Sequence, residues 1–239
     1  MIVTGGQSVY GAAIGILMLE ARFPRIPGDM GNAQTWPFPV HYKVVKGASP
    51  DLVVRRGAPD LLDAFVAAGR DLIDMGVSGI TTNCGFLALY QDALKEALGV
   101  PVAASSLMQV PMVAALLPPG KQVGILTISP ASLSLAHLAG AGVPADTPIG
   151  GTPDAAEFTE AILGNRLHLN VDQARQDLIA AARALTDAHT DLGAIVLECT
   201  NMCPYAADIN TETGLPVFSI YDFVCWFQSG LRPRRFELP

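Results

Sequence analysis

The sequence predicts an α/β protein built around mainly parallel sheets. Short apolar runs alternate with amphipathic stretches along its 239 residues, the order expected when each strand is followed by a crossover helix. One strand–helix pattern occurs twice in the same register, which predicts two related half-domains. Half of the residues are hydrophobic, so a chain of this length can bury a core without disulfide bridges.

The spacing of apolar residues predicts the individual elements in chain order. In the helix expected over 60–75 the apolar side chains share one face, and Gly76 supplies a C-terminal cap. Asn170 is the expected N-cap of a long helix, and Tyr221 begins the last one. The other predicted elements are a helix at 86–98 and strands at 14–19, 40–45, 77–82, 100–104, 123–128, 194–197 and 216–220.

The internal repeat centres on two cysteines that lie 115 residues apart, each directly after a predicted strand. Further identical residues recur at the same spacing without a gap, although Gly-Pro-Val punctuation alone could be shared by any two strand–helix units. The identical pairs are Cys84 and Cys199, Tyr90 and Tyr205, Gly99 and Gly214, Pro101 and Pro216, and Val102 and Val217. Each half therefore places a cysteine at the carboxyl end of a strand.

This position predicts a functional role for both cysteines. Ligands of open parallel sheets bind beyond the carboxyl ends of the strands. Backbone N–H groups at the starts of helices create a partial positive charge there. We expect this environment to lower the thiol pKa and to favour the thiolate. If the two halves face each other, the thiols approach one cleft from opposite sides.

Two facing thiols can exchange protons with opposite faces of one carbon atom. One thiolate removes a proton and the opposite thiol returns one, which inverts the configuration without a cofactor. A carbanion next to a carboxylate also requires stabilisation of its developing negative charge. Small polar residues beside the cysteines suit this role, although each has the alternative role of a helix cap: Thr81, Thr82, Asn83, Thr200 and Asn201.

The motifs Thr82-Asn83-Cys84-Gly85 and Cys199-Thr200-Asn201-Met202 resemble the aspartate/glutamate racemase superfamily. This superfamily includes glutamate, aspartate and hydantoin racemases, maleate isomerases and arylmalonate decarboxylases. The resemblance implies a cofactor-independent enzyme of two pseudo-symmetric α/β domains, Rossmann-like or flavodoxin-like, with the active site in the cleft between them. It implies that Cys84 and Cys199 are the catalytic pair. The residues that would bind the substrate are Thr82, Asn83, Gly85, Thr200 and Asn201.

The repeat divides the chain into two halves. Residues 1–115 together with 216–239 are expected to form the first half, which carries Cys84, and residues 116–215 the second, which carries Cys199. The second motif differs from that of glutamate racemases. Glu198 stands where they have a glycine and Asn201 where they have a histidine, which argues against glutamate as the substrate.

The loop over 25–32 is a further candidate site element. It follows the first predicted strand, so it should lie over the same cleft, and its glycines permit close approach of the backbone. Arg25 could pair with a distal carboxylate, and Asp29 could orient a thiol or bind an amino group. The alternative is an ordinary polar loop with a Gly-Asp turn.

Composition argues against several other classes of protein. Fifteen basic and 22 acidic residues give a net charge of −7, and no basic run offers a surface for nucleic acid or an anionic membrane. The least charged stretch, 99–120, contains prolines that would break a membrane-spanning helix. The N-terminal residues lack the basic flank of a secretory signal, and the cysteines are expected as reduced thiols in a cytoplasmic protein.

No metal or cofactor is predicted. Cys199 and Cys203 are spaced like two ligands on one helix face, but no second Cys or His pair has matching spacing. The segment 5–11 matches neither a phosphate loop nor a dinucleotide-binding fingerprint. The expected partner is a small carboxylate substrate, and the apolar composition is compatible with a homodimer.

The sequence therefore predicts a racemase or epimerase, independent of pyridoxal phosphate, for a small carboxylate compound, most simply an acidic amino acid. A first alternative uses the same cysteine site for cis–trans isomerisation of the maleate type or for malonate-type decarboxylation. An alternative from another class is a two-lobed protein that only binds a carboxylate. Incorporation of solvent deuterium distinguishes the enzymes from the binding protein.

Overall fold

Two parallel four-stranded sheets form the framework of the computed structural model, which describes residues 2–57 and 60–236. The first sheet contains β1 (Ile14–Leu19), β2 (Val40–Val45), β3 (Gly79–Thr82) and β4 (Val102–Ala103), in the order β2-β1-β3-β4. The second contains β5 (Gln122–Thr127), β6 (Ile149–Gly151), β7 (Leu192–Leu197) and β8 (Val217–Phe218), in the order β6-β5-β7-β8. The shared order confirms the prediction of two related parallel α/β halves.

Helices connect the strands in both halves of the described chain. The α-helices are α1 (Pro50–Arg56), α2 (Leu62–Asp74), α3 (Gln91–Leu98), α4 (Gln109–Ala114), α5 (Leu135–Gly140), α6 (Glu157–Leu163), α7 (Val171–Ala188), α8 (Ala206–Thr213) and α9 (Ile220–Leu231). Short 3-10 helices span Ala33–Thr35, Gly85–Tyr90, Ser106–Met108 and Thr200–Tyr205.

The 115-residue repeat is preserved in the backbone. The 3-10 helix Gly85–Tyr90 corresponds to Thr200–Tyr205, α3 to α8 and β4 to β8, all at this one spacing. Gly99 and Gly214 end α3 and α8 in the left-handed conformation, with φ of 65° and 68°, which glycine adopts at little cost. Identical residues of the repeat therefore occupy equivalent positions in the two halves.

The central strands are buried because helices cover both faces of each sheet. Every residue of β1 and β3 is buried, as are the last five residues of β5. The Asn170 side chain accepts the backbone N–H of Gln173 at 3.1 Å, so the predicted cap of α7 is confirmed. Along α7, the side chains of Ala174, Leu178 and Leu185 are buried in the core.

The last helix returns to the first half of the molecule. Phe223 and Val224 of α9 share a buried cluster with Ile14 and Ile16 of β1. Strand β8, however, pairs in parallel with β7. The second sheet therefore extends through β8, whereas the boundary predicted at 216 assigned this strand to the first half.

Several short elements are absent from the sequence-based prediction: α1, α4, α5, α6, α8 and β6. They have only three to eight residues, too few for a period to emerge. The strand expected over 216–220 ends early because Ser219 caps α9, forming a capping box with Asp222. The helix expected over 86–98 begins as a 3-10 turn and becomes α-helical only at Gln91.

None of the helices among the described residues combines the length and the apolar character needed to cross a membrane. The cytoplasmic location and the homodimer stay predictions.

Candidate active site

The carboxyl ends of β3 and β7 meet at a cavity between the two halves. Cys84 follows β3 and Cys199 follows β7; both line this cavity and are only 8% and 7% exposed. The cavity holds about 360 Å³ of empty space, including its opening to solvent. Its other lining residues are polar or glycine at Asn83, Gly85, Glu198, Thr200 and Asn201, and apolar at Leu19, Phe23, Pro50, Val54, Phe86, Ile128, Ile162 and Leu163.

The expectation of a lowered thiol pKa is wrong for both cysteines. Burial raises the pKa of Cys84 and the nearby Glu198 raises it further, against the N–H groups of Phe86 and Leu87. Burial and Glu198 also raise the pKa of Cys199, where the N–H of Asn201 acts in the opposite direction. The predicted helix-start N–H groups are present, but desolvation outweighs them. Both sulfurs therefore rest as thiols at neutral pH.

Glu198 is a buried acid that the sequence analysis noted only as a departure from a motif. Its side chain is 1% exposed, and its Oε2 accepts the hydroxyl of Thr127 at 2.6 Å. Burial raises the pKa of Glu198 to about 7, although the hydroxyl and the N–H of Ile128 act in the opposite direction. Its Oε1 is buried and has no hydrogen-bond partner among the described residues. The repeat could have drawn attention to Glu198, because the equivalent residue 115 positions earlier is the neutral Asn83.

Asn201 links Cys199 to an ion pair outside the cavity. Its Nδ2 donates to Asp29 Oδ2 at 2.7 Å, which leaves its Oδ1 facing the thiol, 3.7 Å from Sγ. Asp29 Oδ1 accepts Arg25 Nη1 at 2.8 Å and the N–H of Gly31 at 2.7 Å. Arg25 and Asp29 do not line the cavity, and both oxygens of Asp29 already have partners. This pair orients Asn201, which favours the thiol-orienting alternative for Asp29 over direct contact with a substrate.

Three other predicted ligands form hydrogen bonds that support the fold. Thr82 Oγ1 donates to the carbonyl of Ala104 at 2.7 Å, and Thr82 does not line the cavity. Thr200 Oγ1 donates to the carbonyl of Asn83 at 2.6 Å and so joins the two halves. Asn83 Oδ1 accepts the N–H of Leu19 at 2.7 Å. Asn83 and Thr200 thus reach the cavity edge with their side-chain oxygens already engaged.

Titratable side chains elsewhere do not form a metal site within residues 2–57 and 60–236. No group of three or more His, Cys, Asp or Glu side chains there has the geometry to hold a metal ion. The four cysteines are free thiols.

The two parallel α/β halves, with one cysteine from each at a shared cavity, have the architecture expected of the aspartate/glutamate racemase superfamily. The profile of the Asp/Glu/Hydantoin racemase family matches residues 54–227, well over half of the chain. The chain belongs to this family, which confirms the resemblance drawn from the two cysteine motifs. The family and the relatives below are named for enzymes.

The similar proteins include lyases and, by fold alone, a decarboxylase. The chain is 28% identical over 215 residues to a dimethylsulfoniopropionate lyase of Durusdinium sp. clade D, covering 87% of this chain and 71% of that protein. It is 30% identical over 217 residues to dimethylsulfoniopropionate lyase 3 of Emiliania huxleyi, covering 86% of this chain but 56% of that longer protein. A crystal structure of arylmalonate decarboxylase shares the fold, with a TM-score of 0.62, 18% identity and 94% of each chain covered.

Proposed function

We propose that the protein is a cofactor-independent lyase that removes a proton from the carbon next to a carboxylate and then eliminates a group from the β-carbon. The observation that carries the proposal is the cavity lined by both Cys84 and Cys199, because it brings a candidate base from each half to one site. Relatives named dimethylsulfoniopropionate lyase favour elimination over the racemisation expected from the sequence.

The elimination balances without a co-reactant. A thiolate takes the proton from Cα, the electrons of the C–H bond form a Cα=Cβ double bond, and the bond from Cβ to sulfur breaks. From dimethylsulfoniopropionate the leaving group departs with its electron pair as neutral dimethyl sulfide, and the other product is acrylate. The apolar wall that includes Phe86 and Ile162 suits the two S-methyl groups.

A sulfonium substrate also fits the electrostatics of the cavity. Burial keeps both cysteines protonated. A cation bound within a few ångströms favours the thiolate, because opposite charges attract strongly where water is excluded. The substrate itself would therefore activate the base that deprotonates it.

Cys84 is the better candidate for that base. Its sulfur faces the N–H groups of Phe86 and Leu87, which favour the thiolate. Cys199 receives the N–H of Asn201 alone, while the Oδ1 of the same residue holds its thiol proton. We therefore assign proton abstraction to Cys84.

Racemisation of a small carboxylate is the second candidate, because two thiols at one cavity can serve opposite faces of a carbon atom. Proton NMR in D₂O separates the two reactions, using dimethylsulfoniopropionate and the enantiomers of aspartate and glutamate. The matched variants are Cys84→Ser, Cys199→Ser and, as a control, Cys225→Ser in α9, away from the cavity.

The lyase predicts acrylate vinyl signals that disappear with Cys84→Ser and persist in the control. Inversion with α-deuteration, abolished by either active-site variant, would favour the racemase. If wild type leaves all of these compounds unchanged, the lyase proposal is wrong.

A further inference from the structure

The unpartnered oxygen of Glu198 lies where a substrate would contact both halves of the molecule. Glu198 lines the cavity together with Cys84 and Cys199, and its Oε1 lies against Gly85, the residue after Cys84. Among the described residues this oxygen has no hydrogen-bond partner, although the side chain is 1% exposed. A buried polar atom without a partner is costly, which suggests that a ligand supplies the partner.

The fold itself does not require an acid at this position. In the first half the equivalent residue is Asn83, whose Oδ1 accepts the N–H of Leu19 at the end of β1. In the second half the carboxyl group of Glu198 accepts the N–H of Ile128, just after β5. A neutral amide therefore performs the structural role in one half. The acid in the other half is available for a different one.

The hydrogen bonds also determine which oxygen carries a proton. Oε2 accepts the Thr127 hydroxyl at 2.6 Å, so a proton on the carboxyl group belongs on Oε1, the oxygen that has no partner among the described residues. Burial favours this neutral form by raising the pKa of Glu198 to about 7. The titratable groups around it are the thiols of Cys84 and Cys199, and Asp29, which also acts on Cys199, is paired to Arg25. These neighbours include no unpaired cation that would favour the ionised form.

We propose that Glu198 acts in its protonated form as the hydrogen-bond donor to the substrate carboxylate, using the O–H on Oε1. This inference rests on the proposed function, in which a carboxylate enters the cavity and gains negative charge as the α-proton leaves. The bond stays a hydrogen bond, so no proton is transferred from Glu198. It strengthens as the enediolate forms and thereby stabilises the transition state. Glu198 would also keep a second negative charge away from the bound carboxylate.

Two substitutions test the donor. Glu198→Leu removes the donor and should lower kcat by about 10²- to 10³-fold, the usual loss for one such donor. Glu198→Gln keeps a neutral donor and an acceptor for Thr127, so it should restore most of that loss. Its advantage over wild type should grow with pH, since glutamine does not ionise. The ratio of variant to wild-type kcat/KM should therefore rise as pH increases through 7.

Either of two results would overturn the inference. A loss of activity in Glu198→Gln as large as in Glu198→Leu would indicate that the ionised carboxylate is needed. A ratio that falls as pH increases through 7 would indicate that ionisation of Glu198 helps the reaction, so that the neutral donor is not the active form. If Glu198→Leu fails to fold, the pH dependence of Glu198→Gln relative to wild type still tests whether Glu198 is the neutral donor.

Binding of propionate, an unreactive carboxylate, provides a readout that does not depend on elimination. Isothermal titration of wild type should give an affinity that falls above pH 7, while that of Glu198→Gln stays constant. If this pattern is seen but no acrylate forms, the role of Glu198 as a hydrogen-bond donor is supported and the proposed lyase activity is refuted. Acrylate formation without this pattern would retain the lyase and refute the donor. Failure of wild type to bind propionate at pH 6 would also refute the donor.

Discussion

Replacing Gly85 with alanine tests how closely the two halves approach each other at the cavity. A Cβ at this position would lie well under 3.0 Å from both Oε1 and the main-chain oxygen of Glu198, and 2.9 Å from its carboxyl carbon. The side chain could turn away, but the main-chain oxygen follows β7 in the second half and cannot. We therefore expect Gly85→Ala to force the halves apart at the site.

Overpacking of this kind typically costs about 1–3 kcal/mol. For a chain of this size that corresponds to a Tm lower by about 2–12 °C, measurable by circular dichroism. The matched control is Gly230→Ala in the exposed last turn of α9, where nothing lies within 4 Å of the added methyl group. The control should be neutral or stabilising by up to about 1 kcal/mol. Equal Tm values for Gly85→Ala and wild type would refute the close approach.

Two further substitutions test Asp29 and Glu198, the acidic residues that act on the cysteines. Asp29→Ala should lower the free energy of unfolding by about 3–5 kcal/mol, because it leaves Arg25 mostly buried without its partner. Urea titration measures this, and a change no larger than that from Asp92→Ala, in an exposed ion pair, would contradict it. Glu198→Gln should flatten the dependence of stability on pH. Folding raises the pKa of Glu198 from 4.5 to about 7, so protonation of Glu198 stabilises the folded wild type. This stabilisation is full below pH 4.5 and is lost as pH rises through 7, a change of about 3 kcal/mol. Urea midpoints that run parallel for variant and wild type would count against it.

The framework of the fold could be predicted because its information is local in the sequence. The predicted strands 14–19 and 40–45 coincide with β1 and β2, each a short run bounded by polar or glycine-rich segments. The repeat predicted the second half from the first. The short helices could not be predicted in this way, since α1 depends on the Ser49 cap and Pro50 rather than on a period.

The candidate site was predictable only in part, because some of its contacts join residues that are far apart in the sequence. Cys84 and Cys199 stand out because the repeat places both at strand ends. The hydrogen bond between Asp29 and Asn201 joins residues 172 positions apart, and no spacing pattern in the sequence predicts it. The sign of the thiol pKa shift is likewise a tertiary property. Local N–H groups favour the thiolate, but burial in the folded protein outweighs them.

The two thiols provide a direct test of the asymmetry between the halves. Cys84 and Cys199 have nearly the same exposure, 8% and 7%, so access alone should not separate their reactivity. Cys84 faces two backbone N–H groups, whereas Asp29 orients Asn201 so that its oxygen holds the Cys199 proton. Since the thiolate is the reactive form, iodoacetamide at pH 8 should modify Cys84 faster, as measured by mass spectrometry of each peptide.

Removal of the nearby acid should increase both alkylation rates, because Glu198 raises the pKa of each thiol. Glu198→Gln is the variant that tests this, since it removes the charge and preserves the shape. Faster modification of Cys199 than of Cys84 in wild type would reverse the assignment of the base. Because the measurement needs no substrate, it tests the electrostatics of the cavity whichever reaction the enzyme catalyses.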